Sequence, residues 1–165
     1  MKSGNKKSIL AVIMMSVMLL AFGAACGDTK ASEKEYVDWY ESNRSDLEDA
    51  MLTYAKRMME ADPTDDQWAK NVKKSLDDLQ KVVDDVKAKK NAPAAYKKAH
   101  EHLVKASEGY QYLIDETPKT IKTIDENTVD GLNVIEHRLD KALEETKKAD
   151  DEVEKVASDS KNDKK

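Results

Sequence analysis

The sequence predicts an all-α protein: an elongated antiparallel bundle of three or four helices behind an N-terminal signal helix. Three observations lead there. Beyond residue 31, apolar residues recur at three- and four-residue spacing, the period of one helix face. Nowhere does the chain alternate apolar and polar residues as a half-buried strand would. The three prolines, Pro63, Pro93 and Pro118, each stand beside residues that favour a helix start, so they cut this region into four segments.

The first element is the N-terminal one. Lys2, Lys6 and Lys7 make a basic start, residues 9–22 are uncharged and largely apolar, and Gly23-Ala24-Ala25 leads into Cys26, the only cysteine. Charge, then oil, then small residues is the layout of an export signal. The run Leu19-Leu20-Ala21-Phe22-Gly23-Ala24-Ala25-Cys26 resembles the lipobox of bacterial lipoproteins, with Gly23 at the place where Leu is commonest. That resemblance covers residues 1 to about 27. It implies a signal peptide over residues 1–25, a diacylglyceryl group on the Cys26 thiol, and a bilayer-anchored protein on the extracytoplasmic face of the cell envelope. Two acyl chains hold firmly where one, at ~0.8 kcal/mol per buried methylene, holds only marginally.

The same residues leave two other readings open. Gly23 and Ala25 also satisfy an ordinary small-x-small cleavage site. Residues 9–25 give 17 uncharged positions, the short edge of what spans a ~30 Å hydrocarbon core. In each case a lone cysteine excludes an internal disulfide, so the fold rests on packing.

Residues 26–31 read as the lipidated cysteine and a short tether, residues 32–157 as one bundle domain, and residues 158–165 as a disordered polar tail. Without residues 1–25, 25 basic and 33 acidic residues remain, a net charge near −8. That balance argues against nucleic acid, whose phosphates need a basic surface. Leu, Ile and Val total 23 of these 140 residues and Phe is missing, a fraction that would suit disorder if the apolar residues were scattered. They fall in stripes instead.

Ser32-Glu33-Lys34-Glu35 reads as a capping box opening the first helix. Tyr36, Tyr40, Asn43, Leu47, Met51, Tyr54 and Met58 form its stripe, and it should stop near Ala61 before Pro63. Thr64-Asp65-Asp66-Gln67 is a second capping box, followed by Trp68, Val72, Leu76, Leu79, Val83 and Val86. Asn91 and Pro93 mark a stop and a restart, and the third stripe is Tyr96, Ala99, Leu103, Ala106, Tyr110 and Leu113. Thr117-Pro118 marks a new helix or a kink. The last stripe is Ile121, Ile124, Leu132, Ile135, Leu139, Ala142, Thr146, Ala149, Val153 and Val156, weakened by its alanines and threonine, with residues 125–128 and Gly131 as the place for a break. A three-helix bundle with a projecting hairpin and a coiled coil completed by another chain are the alternative architectures.

An anchor at Cys26 with a five-residue tether fixes the orientation. The turn at Asn91, with Lys87, Lys89, Lys90, Lys97 and Lys98, would face the lipid. The turns carrying Asp62, Asp65, Asp66, Asp115, Glu116, Asp125 and Glu126 would face outward, where an acidic outer surface could take a protein partner. Trp39, one step off its stripe, is the candidate for an exposed contact.

Catalytic and metal chemistry find no constellation here. His100 and His102 point ~200° apart on a helix and His137 is remote, so no shared ion is expected. The acids of residues 62–66 and 125–130 lack the spaced calcium loop, and Met51 and Met58 lie on a core stripe where Met fills gaps. The expectation is a protein that is not an enzyme and has no cofactor, working as a helical interaction or structural module. An extracytoplasmic bundle binding a small ligand or a metal in its core is the alternative.

Overall fold

The computed structural model describes residues 28–60, 62, 65–122 and 128–162. Cys26, the signal segment and Thr64 lie outside the described residues. Among the described residues the chain forms four long helices, α1 (Asp28–Met59), α2 (Asp66–Ala88), α3 (Lys97–Lys122) and α4 (Thr128–Asn162), with a 3-10 turn (Ala94–Tyr96) leading into α3. No strand occurs among the described residues. At 1.5 Å per residue α1 runs about 48 Å and α4 about 52 Å, so the bundle is elongated.

Helix boundaries differ from the sequence reading in three places, and at Pro118 they resolve an alternative the sequence left open. α1 opens at Asp28, leaving Ser32 inside the helix and not at its cap. No glycine or proline interrupts residues 28–62, and the acids near the start favour the positive end of the helix dipole. α2 is capped by Asp65, one residue later than the capping box implied, with its side chain accepting from the Gln67 amide at 2.8 Å. α3 passes through Pro118. A proline inside a helix costs ~3 kcal/mol, but continuing the helix buries Ile121 and keeps the enclosed Thr117 in reach of Tyr54. The third helix is described to Lys122 and the fourth from Thr128. Finally, α4 does not give way to a tail at Ser158; it continues to Asn162, with Ser158 Oγ bonded back to the Lys155 carbonyl at 2.8 Å.

Side-chain bonds fix the arrangement. Trp68 Nε1 to the Arg57 carbonyl, Gln80 to Gln111, and Tyr110 to Thr146 join α1 to α2, α2 to α3 and α3 to α4. Arg44 and Tyr40 reach Asp150 and close the ring from α1 to α4. Each pair runs antiparallel, giving an up-down-up-down four-helix bundle.

The stripes read from the sequence are the core. Tyr36, Tyr40, Leu47, Met51 and Tyr54 of α1 are buried, as are all six stripe residues of α2 and all six of the third segment. Two apolar clusters divide this core lengthwise. A smaller one gathers Tyr36, Tyr40, Val86, Tyr96, Ala99, Leu103, Ala149 and Val153 at the end where α1 begins. The larger one fills the rest.

The alanines of the last stripe turn out to serve close approach. α3 and α4 pack more closely than any other pair, with Ala106, Ala142 and Ala149 enclosed. A Cβ on Gly109 would stand 2.7 Å from Ala142 Cβ and 3.1 Å from the Arg138 carbonyl. Small side chains let backbones meet, so dispersion contacts make up for scarce large aliphatics.

Candidate functional site

Two polar and aromatic groupings interrupt the plain apolar packing. The first sits at the end where α1 begins. Tyr36 stacks on Tyr96 with centroids 5.3 Å apart and meets Trp39 at 5.3 Å and the His100 ring edge-on at 6.0 Å. Trp39 is not the exposed contact that its position off the stripe suggests. It is half-buried, donates from Nε1 to Asp85 Oδ2 at 2.7 Å and carries Lys89 Nζ over its ring at 5.2 Å. Sequence spacing cannot see this, because the partners arrive from α2 and the following turn.

Within that cluster Tyr36 Oη and His100 Nδ1 are buried without a hydrogen-bond partner. Burial pushes the Tyr36 hydroxyl pKa well above its ordinary range, reinforced by Tyr96. It also pulls the His100 imidazole down from its usual value, with Lys89 adding in the same direction against a backbone hydrogen bond and Glu101. The expected basic end is mixed in charge. Glu33, Glu35, Asp38, Glu152 and Glu154 occupy the same end as Lys89, Lys90, Lys97 and Lys98.

The second grouping crosses the waist between the two apolar clusters. Arg44 Nε and Nη2 donate to the two Asp150 oxygens at 2.8 and 3.0 Å, and Tyr40 Oη donates to Asp150 Oδ1 at 2.7 Å. Burial opposes the Arg44 charge, but the hydrogen bond and charge of Asp150 outweigh it and raise the pKa. Burial pushes the Tyr110 hydroxyl up to about 12, while its partner Thr146 Oγ1, 2.9 Å away, acts the other way. Asn43 Nδ2 makes a long bond of 3.3 Å to Asp85, and its buried Oδ1 is unpartnered. Beside it lies a cavity of about 10 Å³, lined by Leu47, Val83, Leu103, Ser107 and Tyr110 among others.

The histidines diverge as their spacing requires. His100 faces the aromatic cluster, while His102 Nδ1 meets Glu145 Oε2 on α4 at 2.7 Å. That bond, with one from Lys148, holds the Glu145 carboxyl down at about 2. His137 is exposed. Among the described residues no group of three His, Cys, Asp or Glu side chains is placed to hold a metal ion. Met51 is buried in the larger cluster and Met58 packs against it.

Outside, two features stand out. A groove of about 470 Å³ between α1 and α2 carries Asp46, Asp49, Asp78 and Asp85, with Lys81 paired to Asp78 at 2.7 Å. On the opposite flank of α1 the α1 and α4 backbones stay apart, and Leu52, Met59 and Val129 are 45%, 64% and 64% exposed.

The strap from Arg44 to Asp150 was not foreseen in the sequence. Its one trace is an arginine beside the stripe residue Asn43, with an acid at the matching height of the last segment. No helix among the described residues is long and apolar enough to cross a membrane. Scans of this chain against protein-family models, curated proteins and solved structures returned no match.

Proposed function

We propose that this chain is a lipoprotein, anchored in the cell membrane by a diacylglyceryl group on Cys26 and exposed on the extracytoplasmic face, where it works as a helical interaction module and not as an enzyme. The observation that carries the anchor is the order of Lys2, Lys6 and Lys7, an apolar run, small residues and a lone cysteine. With α1 beginning at Asp28, one residue in sequence, Gly27, separates the proposed anchor from the first helix. The end bearing the aromatic cluster then faces the headgroups, and the connections after α1 and α3 face outward.

The interaction role is supported by where the chain invests its polar groups. Within the core they tie helices to one another, as Arg44, Tyr40 and Asp150 do. The net negative charge and the exposed apolar residues lie outside, where a partner meets them.

Metabolic labelling with an alkyne fatty acid tests the anchor. Label should enter the wild-type protein, disappear in Cys26→Ser, and a lipoprotein signal-peptidase inhibitor should leave the precursor uncut. Cleavage without label would replace the anchor with plain secretion.

A further inference from the structure

The first helix outruns the second at the aromatic end of the bundle. Trp39 of α1 meets Asp85, three residues before α2 stops at Ala88. Because the two helices run antiparallel, residues 28–35 of α1 lie past the end of α2. This end of α1 is held by the smaller apolar cluster, where Tyr36 packs on Tyr96 and His100, and Trp39 meets His100 at 5.9 Å. A segment held by so few buried contacts opens at a lower free energy than the rest of a fold.

His100 sits where α1 meets α3, and its ring is the weak point of that contact. Its Nδ1 is buried with no hydrogen-bond partner, and the buried Tyr36 Oη of the same cluster has none either. As a neutral ring, His100 packs among the aromatics as a flat, largely apolar body. A proton on Nδ1 would bring a charge and a new donor into a space with no carboxylate to receive them.

The groups around the ring oppose that charge on balance. α1 offers Tyr36 and Trp39, and the Trp39 ring already carries the Lys89 ammonium at 5.2 Å. The Lys89 charge, from the turn after α2, disfavours a second cation. Asp85 of α2 is taken by Trp39 Nε1 and Asn43 Nδ2. Glu101, next along α3, and a hydrogen bond to the Lys89 backbone favour the imidazolium, but burial outweighs them. Glu33 of α1 acts on Tyr96, and α4 brings Ala149, Val153 and Val156, none of which titrates.

We propose that His100 is an acid-sensitive latch on the start of α1: a proton on its ring parts Tyr36 and Trp39 from α3 and lets residues 28–39 open, while the Arg44–Asp150 strap and the larger cluster beyond it stay folded. The closed state takes the proton less readily than the open one. Closure is therefore complete above the ordinary imidazole value near 6.5 and is eroded as pH falls below it. A single proton changes the opening constant by at most about tenfold per pH unit. The latch is independent of how residue 26 is modified.

The test is deuterium uptake, read by mass spectrometry on the full chain in phosphatidylcholine nanodiscs and corrected for the intrinsic pH dependence of exchange. Protection of residues 28–39 should hold level from pH 7.5 to 6.5, then fall several-fold by pH 5.5. Peptides from the larger cluster, around Leu76 and Leu113, should keep theirs. His100→Gln should flatten the response, whereas His102→Gln and His137→Gln, at the other two histidines, should leave it intact. Circular dichroism checks that each variant folds. A second measurement needs no variant at His100: in chain labelled with 5-fluorotryptophan, the fluorine resonance of Trp39 should shift below pH 6.5 and that of Trp68 should not.

Level protection of residues 28–39 down to pH 5.5, a full response in His100→Gln, or its loss in His102→Gln would each overturn the proposal. So would equal loss across all four helices, which is global unfolding. A rise in protection at acid pH would overturn it too, since Tyr36 Oη would then be accepting from the protonated ring and tightening the cluster.

Discussion

Asp150→Ala should be the most damaging surface-proximal substitution in the bundle. Asp150 is the single acceptor for two Arg44 bonds and one from Tyr40, and together they close α1 onto α4 where the backbones do not pack. The Arg44 side chain is 15% exposed and that of Asp150 31%. An open ion pair is worth ~0.2–1 kcal/mol, and removing one partner of a buried pair costs ~3–5 kcal/mol because the other charge is left stranded. The partial cover here places the loss at about 2–3 kcal/mol. For a domain of this size that lowers Tm by roughly 5–10 °C, and urea denaturation should show a reduced midpoint at unchanged slope. Arg44→Met with Tyr40→Phe and Asp150→Leu leaves no stranded charge and should cost far less than Asp150→Ala alone. A loss below about 0.5 kcal/mol for Asp150→Ala would refute the idea that this strap holds α1 in place.

Three further outcomes follow from the same contacts. Gly109→Ala, which would gain up to ~1 kcal/mol on an open helix, should instead destabilise by about 1–2 kcal/mol, because its Cβ lands 2.7 Å from Ala142 Cβ; adding Ala142→Gly should recover part of the loss in urea melts. Asn43→Leu removes a buried carbonyl oxygen without a partner at the cost of one long bond to Asp85, so it should raise stability by about 1 kcal/mol, read as a higher urea midpoint. The depressed pKa of His100 means the unfolded chain takes up its proton first as pH falls. Stability from that group is therefore present above its ordinary value near 6.5 and is lost as pH drops from there toward its folded value; Tm measured from pH 7.5 to 5 should fall less steeply in His100→Gln than in wild type.

The core was legible because helix periodicity needs only one chain to display it. Every stripe residue from Trp68 to Val86 and from Tyr96 to Leu113 is buried. Boundaries were less legible, since they depend on which of two nearby options buries more. Pro118 is the clear case: its local chemistry allows a new helix start or a kink, and the burial of Ile121 behind it carries the helix on. The role of Trp39 was hidden for a different reason. Its spacing places it off the stripe, but Asp85 and Lys89 come from another helix and its following turn to meet it, and periodicity within one segment carries no information about that.

The alanine-rich interface raises a question that the polar waist answers. Ala106, Ala142 and Ala149 permit α3 and α4 to approach closely, but small side chains interdigitate shallowly, so a shift by one turn would bury nearly the same area. Register has to come from elsewhere. Tyr110 to Thr146, His102 to Glu145, and the Arg44 strap each exist at one height only. A one-turn slide of ~5.4 Å sets Ala142 against the Tyr110 hydroxyl in one direction, costing ~1–3 kcal/mol for the buried group left without its acceptor, and sets Ala149 against His102 in the other. Polar side chains at the waist thus supply the specificity that large interlocking aliphatics supply in other bundles. The same logic fits the wider spacing of α1 and α4 beyond the strap: with register fixed at residues 40, 44 and 150, their side chains share the larger apolar cluster without close approach of the two backbones.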